Sequence, residues 1–200
     1  MTKATTIFVA MVLTCFLSTQ TIADIVVDTL PANNQANLSA DAGQTFTTGV
    51  LTLKGLGTIE IEGPQSGASG TVFGLELWTD TDQNHSTWDP GTLLATATNT
   101  SAFSNGTITT FNFSGEALAD NTVYGFTYTD GAGNRILARM GLTNANAISN
   151  GTLFGGGSQQ FGDAFDTAMR ITTIRAIPEP SSIALIGVGL WGLVLRRRRS

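Results

Sequence analysis

Residues 71–78 read Thr-Val-Phe-Gly-Leu-Glu-Leu-Trp, which in an extended chain puts Phe73, Leu75 and Leu77 on one face and Glu76 on the other. The pattern returns. Tyr124, Phe126 and Tyr128 fall together in residues 122–128, Phe111 and Phe113 alternate with Thr110 and Asn112, Ile59 and Ile61 alternate with Glu60 and Glu62, and Met169, Ile171 and Thr173 follow the same rhythm. A period of two marks a half-buried strand, because successive side chains point to opposite faces of a sheet. Asn105-Gly106, Asp130-Gly131 and Asn150-Gly151 separate the runs, and these pairs suit tight turns with φ > 0. No stretch carries a persuasive helical period; Ala117-Leu118-Ala119 has room for one turn at most. Short strands at roughly ten-residue spacing predict an all-β fold, an antiparallel β-sandwich with jelly-roll-like topology.

Charge excludes one class of partner. Between residues 24 and 176 lie five bases and fourteen acids, so this part is far more acidic than the whole-chain charge of -5 suggests. Nucleic-acid binding needs clustered Lys and Arg, and an acidic body repels phosphate. Charged residues make up only 12% of the chain against a usual quarter, with Thr, Ser, Asn and Gly in their place, which fits a loop-rich β protein and not a disordered one. The one cysteine, Cys15, lies in the N-terminal apolar run. A body of about 150 residues without disulfides is large enough to hold together by burial alone.

Residues 1–23 read as a cleaved secretory signal helix. Lys3 supplies a positive start, Ile7 to Leu17 an apolar core, and Thr21-Ile22-Ala23 the small residues before a cut between Ala23 and Asp24. This expectation brings in the Sec translocon and signal peptidase. At the other end, residues 181–195 carry no charge, and Arg196, Arg197, Arg198 and Arg199 follow. Fifteen helical residues cover about 22 Å, short of a ~30 Å hydrocarbon core, but bilayer thinning and snorkelling arginines close the gap. The arginines then stay cytoplasmic and the body lies outside.

A simple anchor has no need of Pro178-Glu179-Pro180. Two prolines fix φ and withhold backbone donors, so this segment stays extended and joins neither helix nor sheet. The order Ile177-Pro178-Glu179-Pro180-Ser181-Ser182, apolar span and arginine cluster resembles the PEP-CTERM sorting signal of Gram-negative-type bacteria. The resemblance implies recognition by exosortase, a membrane protease-transpeptidase that cuts near the motif, with passage through the inner membrane only transient. Its domain plan is a signal at 1–23, an extracellular β-sandwich at 24–176 and a sorting signal at 177–200.

A looser resemblance covers the body. Gln44-Thr45-Phe46-Thr47-Thr48-Gly49, Leu77-Trp78-Thr79-Asp80, Pro90 to Ala95 and Leu118 to Tyr124 follow an order similar to the "choice-of-anchor" extracellular domains. It implies a β-sandwich joined to an interchangeable surface-sorting tail, and no activity.

Enzyme chemistry finds little to use. Outside the signal there is one histidine, His85, no cysteine and no G-x-S-x-G. Zinc needs several N or S ligands, and Gly155-Gly156-Gly157 lacks the Lys of a phosphate loop. Glu60 and Glu62 are i,i+2 neighbours that point the same way and read as a solvated strand face, so they do not flank a glycosidic bond. The Asn-x-Ser/Thr sequences at Asn99, Asn105 and Asn150 read as composition in a bacterial protein.

The loop 79–91 offers more. Asp80, Asp82, Asn84 and Asp89 place oxygen donors at spacings that suit Ca2+, yet His85 replaces the EF-hand glycine and Gly91 its final Glu. A looser calcium site and an Asx-rich hairpin loop both fit these residues; beyond this candidate ion no cofactor is expected. Trp88 suits either stacking on a sugar or capping the core. The expected function is therefore a non-enzymatic structural or adhesive protein of the cell envelope or biofilm matrix, secreted or at the cell surface and associated with exopolysaccharide. The alternatives are a carbohydrate-binding module using Trp88 and the loop, and a polysaccharide hydrolase.

Overall fold

The computed structural model describes residues 23–175, apart from 39, 40, 69, 131, 145, 146, 149, 157 and 160–163. These residues form an all-β structure with antiparallel pairing throughout. One sheet runs β1 (Asp24–Asp28), β14 (Met169–Ile174), β4 (Gly55–Glu62), β8 (Ile108–Asn112). A larger sheet runs β12 (Ser158–Gln159), β11 (Leu153–Gly155), β3 (Gly43–Thr47), β9 (Val123–Thr129), β5 (Val72–Asp80), β6 (Pro90–Thr96), with β7 (Ser101–Ala102) on the first half of β5. A third runs β13 (Phe165–Thr167), β10 (Arg139–Asn144), β2 (Asn34–Asn37). The chain crosses between the two main sheets at β3 to β4, β4 to β5, β6 to β8 and β8 to β9, the jelly-roll-like pattern that non-local pairing produces.

The alternation in the sequence explains the core. Ile59, Ile61, Phe111, Met169 and Ile171 face inward from the first sheet. Phe46, Leu75, Leu77, Tyr124, Phe126 and Tyr128 meet them from the larger one. Phe103, just after β7, joins the layers: its ring lies 6.3 Å from Phe111 on one side and 5.0 Å from Phe73 and 5.9 Å from Tyr128 on the other. Such tilted and edge contacts add about 0.5–1.5 kcal/mol each beyond the area they bury. Burial drives the Tyr128 hydroxyl pKa upward, and its O–H donates to Met140 Sδ at 3.1 Å, tying β10 to the core.

One acidic residue departs from expectation. Glu62 is not on a solvated face: it is buried, and its Oε2 accepts the Ala32 N–H at 2.7 Å. Glu60 stays half-buried and pairs with Arg170 at 3.5 Å. Asp166 is also buried; its carboxylate accepts from Gln44 Nε2 and from the Ile148 N–H, both at 2.9 Å, while the Thr167 N–H donates to Gln44 Oε1 at 3.0 Å. These bonds join β3 to β13 where no backbone ladder does. Asp166→Ala leaves buried donors without an acceptor and is expected to cost about 3 kcal/mol, read as a lower urea midpoint at unchanged m-value.

Candidate functional site

Pro178, Glu179, Pro180 and Arg196 to Arg199 lie outside the described residues, as does the apolar run 181–195. Among the described residues no helix is long and apolar enough to cross a membrane. The places where both terminal segments meet the domain are described. Ala23 is exposed, and Asp24 opens β1 directly opposite Thr173 near the end of β14. The candidate cut between Ala23 and Asp24 therefore sits beside the point where the chain leaves β14 toward residue 176. The two terminal segments leave the domain from one end of one pair of strands.

The loop between β5 and β6 is the other candidate, and its geometry begins with two glycines on the outer face of the larger sheet. In β3 and β9, Phe46, Tyr124 and Phe126 point to the core, so Gly43 and Gly125 face the opposite way. Phe154 of β11 covers Gly43: a Cβ there would lie 2.4 Å from its ring and 1.9 Å from the Phe126 carbonyl oxygen. Trp88 covers Gly125, where a Cβ would lie 2.0 Å from its ring. The Trp88 and Phe154 rings stack at 4.5 Å with 11° between planes. Glycine in a strand interior marks this kind of close approach.

Polar groups hold the loop over the sheet. Gln83, at φ 54°, accepts the Val123 N–H on Oε1 at 2.8 Å and donates from Nε2 to the Val123 carbonyl at 3.2 Å, extending the ladder where β5 ends. The His85 carbonyl accepts from Thr45 Oγ1 at 2.9 Å.

The four oxygen-bearing residues divide by role. Asp82 caps the loop, accepting the Asn84 N–H at 2.9 Å and the Thr87 hydroxyl at 2.8 Å. Its pKa is held down by the Asp80 side chain, then by those two donors. Asn84 Oδ1 accepts the Ser86 N–H at 3.2 Å. Asp89 is exposed, and its N–H donates to Asp80 Oδ2 at 3.3 Å. Asp80 is only 3% exposed, and its Oδ1 accepts no hydrogen bond. Burial pushes the Asp80 pKa up to about 6, helped by the Asp82 carboxylate. Among the described residues no three His, Cys, Asp or Glu side chains converge on one point.

Trp88 thus presents one ring face to Phe154, lies over Gly125, and is half-buried with Nε1 inside. Two features of this site were absent from the sequence reading: Gln83 as the loop's anchor, and Phe154 as the partner of Trp88. The signal for the second was present, since Tyr124-Gly125-Phe126 puts a glycine inside an otherwise aromatic strand. The outer face also carries Arg135, 4.6 Å from the Trp78 ring centroid, a cation–π pair.

Residues 176–199 match the family described as the PEP-CTERM protein-sorting motif. No curated protein matches the chain.

Proposed function

Starting from the PEP-CTERM protein-sorting motif at residues 176–199, which marks an exported protein processed by exosortase and destined for the surface or the medium, we propose that the domain at 24–176 is a non-enzymatic structural or adhesive element of an exopolysaccharide matrix. In this reading residues 1–23 are removed after Sec export. Residues 181–195 hold the chain in the inner membrane with Arg196 to Arg199 in the cytoplasm, and exosortase cuts near Pro178-Glu179-Pro180. The extended backbone that two prolines impose is what a protease accepts. The first and last strands pair side by side, so Asp24 and the end of β14 lie at one pole of the domain, which favours both scissions on that side.

The observation that favours a scaffold over a carbohydrate-binding module is the position of Trp88. A sugar platform needs an exposed aromatic face, and this half-buried ring stacks one face on Phe154 and lies against Gly125. Among the described residues, the Asp80 and Asp82 carboxyls lie within hydrogen-bonding reach, closer than the about 5–9.5 Å at which a glycosidase holds its acid and base. A glycan array of the purified protein tests this directly. Wild type is expected to show no selective retention on any single glycan, and Trp88→Ala is expected to lose stability, by about 2 kcal/mol for a half-buried aromatic, without changing the array. Selective retention that disappears in Trp88→Ala establishes the binding module instead.

A further inference from the structure

A buried carboxylate oxygen with no donor facing it calls for an explanation. The Asp80 and Asp82 carboxyls lie within hydrogen-bonding reach of each other. Asp80 is 3% exposed, and its Oδ1 meets neither an N–H nor a hydroxyl. Among the described residues no ion pair reaches Asp80 or Asp82; the pairs there are Lys54–Asp120 and Arg170 with Asp28 and Glu60. A buried carboxylate left this way is costly unless a proton or a metal ion completes it.

We propose that the loop between β5 and β6 binds Ca2+, with Asp80 Oδ1 and the Asp82 carboxylate as its charged ligands. The loop geometry fits a hard cation. Asp80, Asp82 and Asn84 stand at alternate positions, so their side-chain oxygens come from one turn of a loop that Gln83 and Trp88 pin to the sheet. The two charged ligands are carboxylates, the hard oxygen donors that Ca2+ takes. Two carboxylates make a weak site, with the remaining ligands from loop oxygens and water, in the range of about 10⁻⁴–10⁻³ M found for extracellular modules. Such a site fills outside the cell and empties in the cytoplasm.

Thermal unfolding of the purified protein near neutral pH, at constant ionic strength, tests the site. Calcium at about ten times its midpoint is expected to raise Tm by about 3–5 °C, with magnesium having little effect. Asp82→Asn, at an exposed position, and Asp80→Asn, close in shape, are each expected to abolish the calcium response. Asp80→Asn is also expected to raise Tm without calcium, because it removes one of the two like charges. Tb3+ luminescence sensitised by Trp88 reports the same site without reference to stability, and calcium should quench it by competition. No calcium response in wild type up to about 10 mM, well above that range, overturns the proposal. So does an equal response to magnesium, or an unchanged calcium response in both variants. If a variant does not fold, the wild-type Tb3+ titration decides: emission displaced by calcium supports the site, and emission absent or indifferent to calcium overturns it.

Discussion

Gly43→Val is expected to destabilise the domain by at least about 3 kcal/mol, which lowers Tm by about 6–12 °C for a domain of this size. The cause is local and geometric. A Cβ on Gly43 would lie 1.9 Å from the backbone carbonyl oxygen of Phe126 and 2.4 Å from the Phe154 ring. A side chain can rotate away from a clash. A carbonyl in the β3–β9 ladder cannot, because moving it breaks the pairing of Gln44 with Phe126. The ladder must open and Phe154 must move, and with Phe154 goes the surface on which Trp88 stacks. Gly49→Ala is the matched control. Nothing lies within 4 Å of a Cβ there, and its effect is expected within about 0.5 kcal/mol. Differential scanning calorimetry of the two variants beside wild type reads both numbers. Equal melting points for Gly43→Val and wild type would mean that the aromatic pair does not cover the sheet as described.

The second large effect concerns processing. Replacing Pro178, Glu179 and Pro180 together by alanine is expected to leave nearly all the protein uncut and membrane-bound. Each proline costs a helix about 3 kcal/mol relative to alanine. Without them the helix expected at 181–195 extends toward the domain. The extended form that a protease requires then falls in population by more than about a hundredfold. Immunoblotting of membrane and medium fractions reads the outcome. A variant found in the medium in wild-type amounts would show that the Pro-Glu-Pro segment does not set recognition.

How much of this was legible depends on how each strand is buried. β4, β5, β8, β9 and β14 each present one face to the main core, so Ile59, Ile61, Leu75, Phe111, Phe126 and Ile171 appear in the sequence at a period of two. β2, with the sequence Asn-Gln-Ala-Asn, has no alternation to read. β10 is buried from Met140 to Thr143, but only Met140 and Leu142 give it an apolar alternation, too short to stand out. Gly141 packs closely: a Cβ there would meet the carbonyl oxygens of Glu62 and Gly63 at 3.0 Å. Glu62 escaped because its environment is set by the Ala32 N–H, thirty residues away. The loop 79–91 was legible as rich in oxygen donors. Its fold over the sheet was not, because that rests on which way Gly43 and Gly125 face. The sorting tail was legible because its motif, apolar run and arginines are contiguous, and the family match falls at 176–199.

Mass spectrometry of the mature protein taken from its native cells tests the central claim most directly. Cleavage at both ends predicts a chain that begins at Asp24 and stops near Pro178-Glu179-Pro180, with residues 181–200 gone. A mature chain that still ends in Arg196-Arg197-Arg198-Arg199-Ser200 would contradict it.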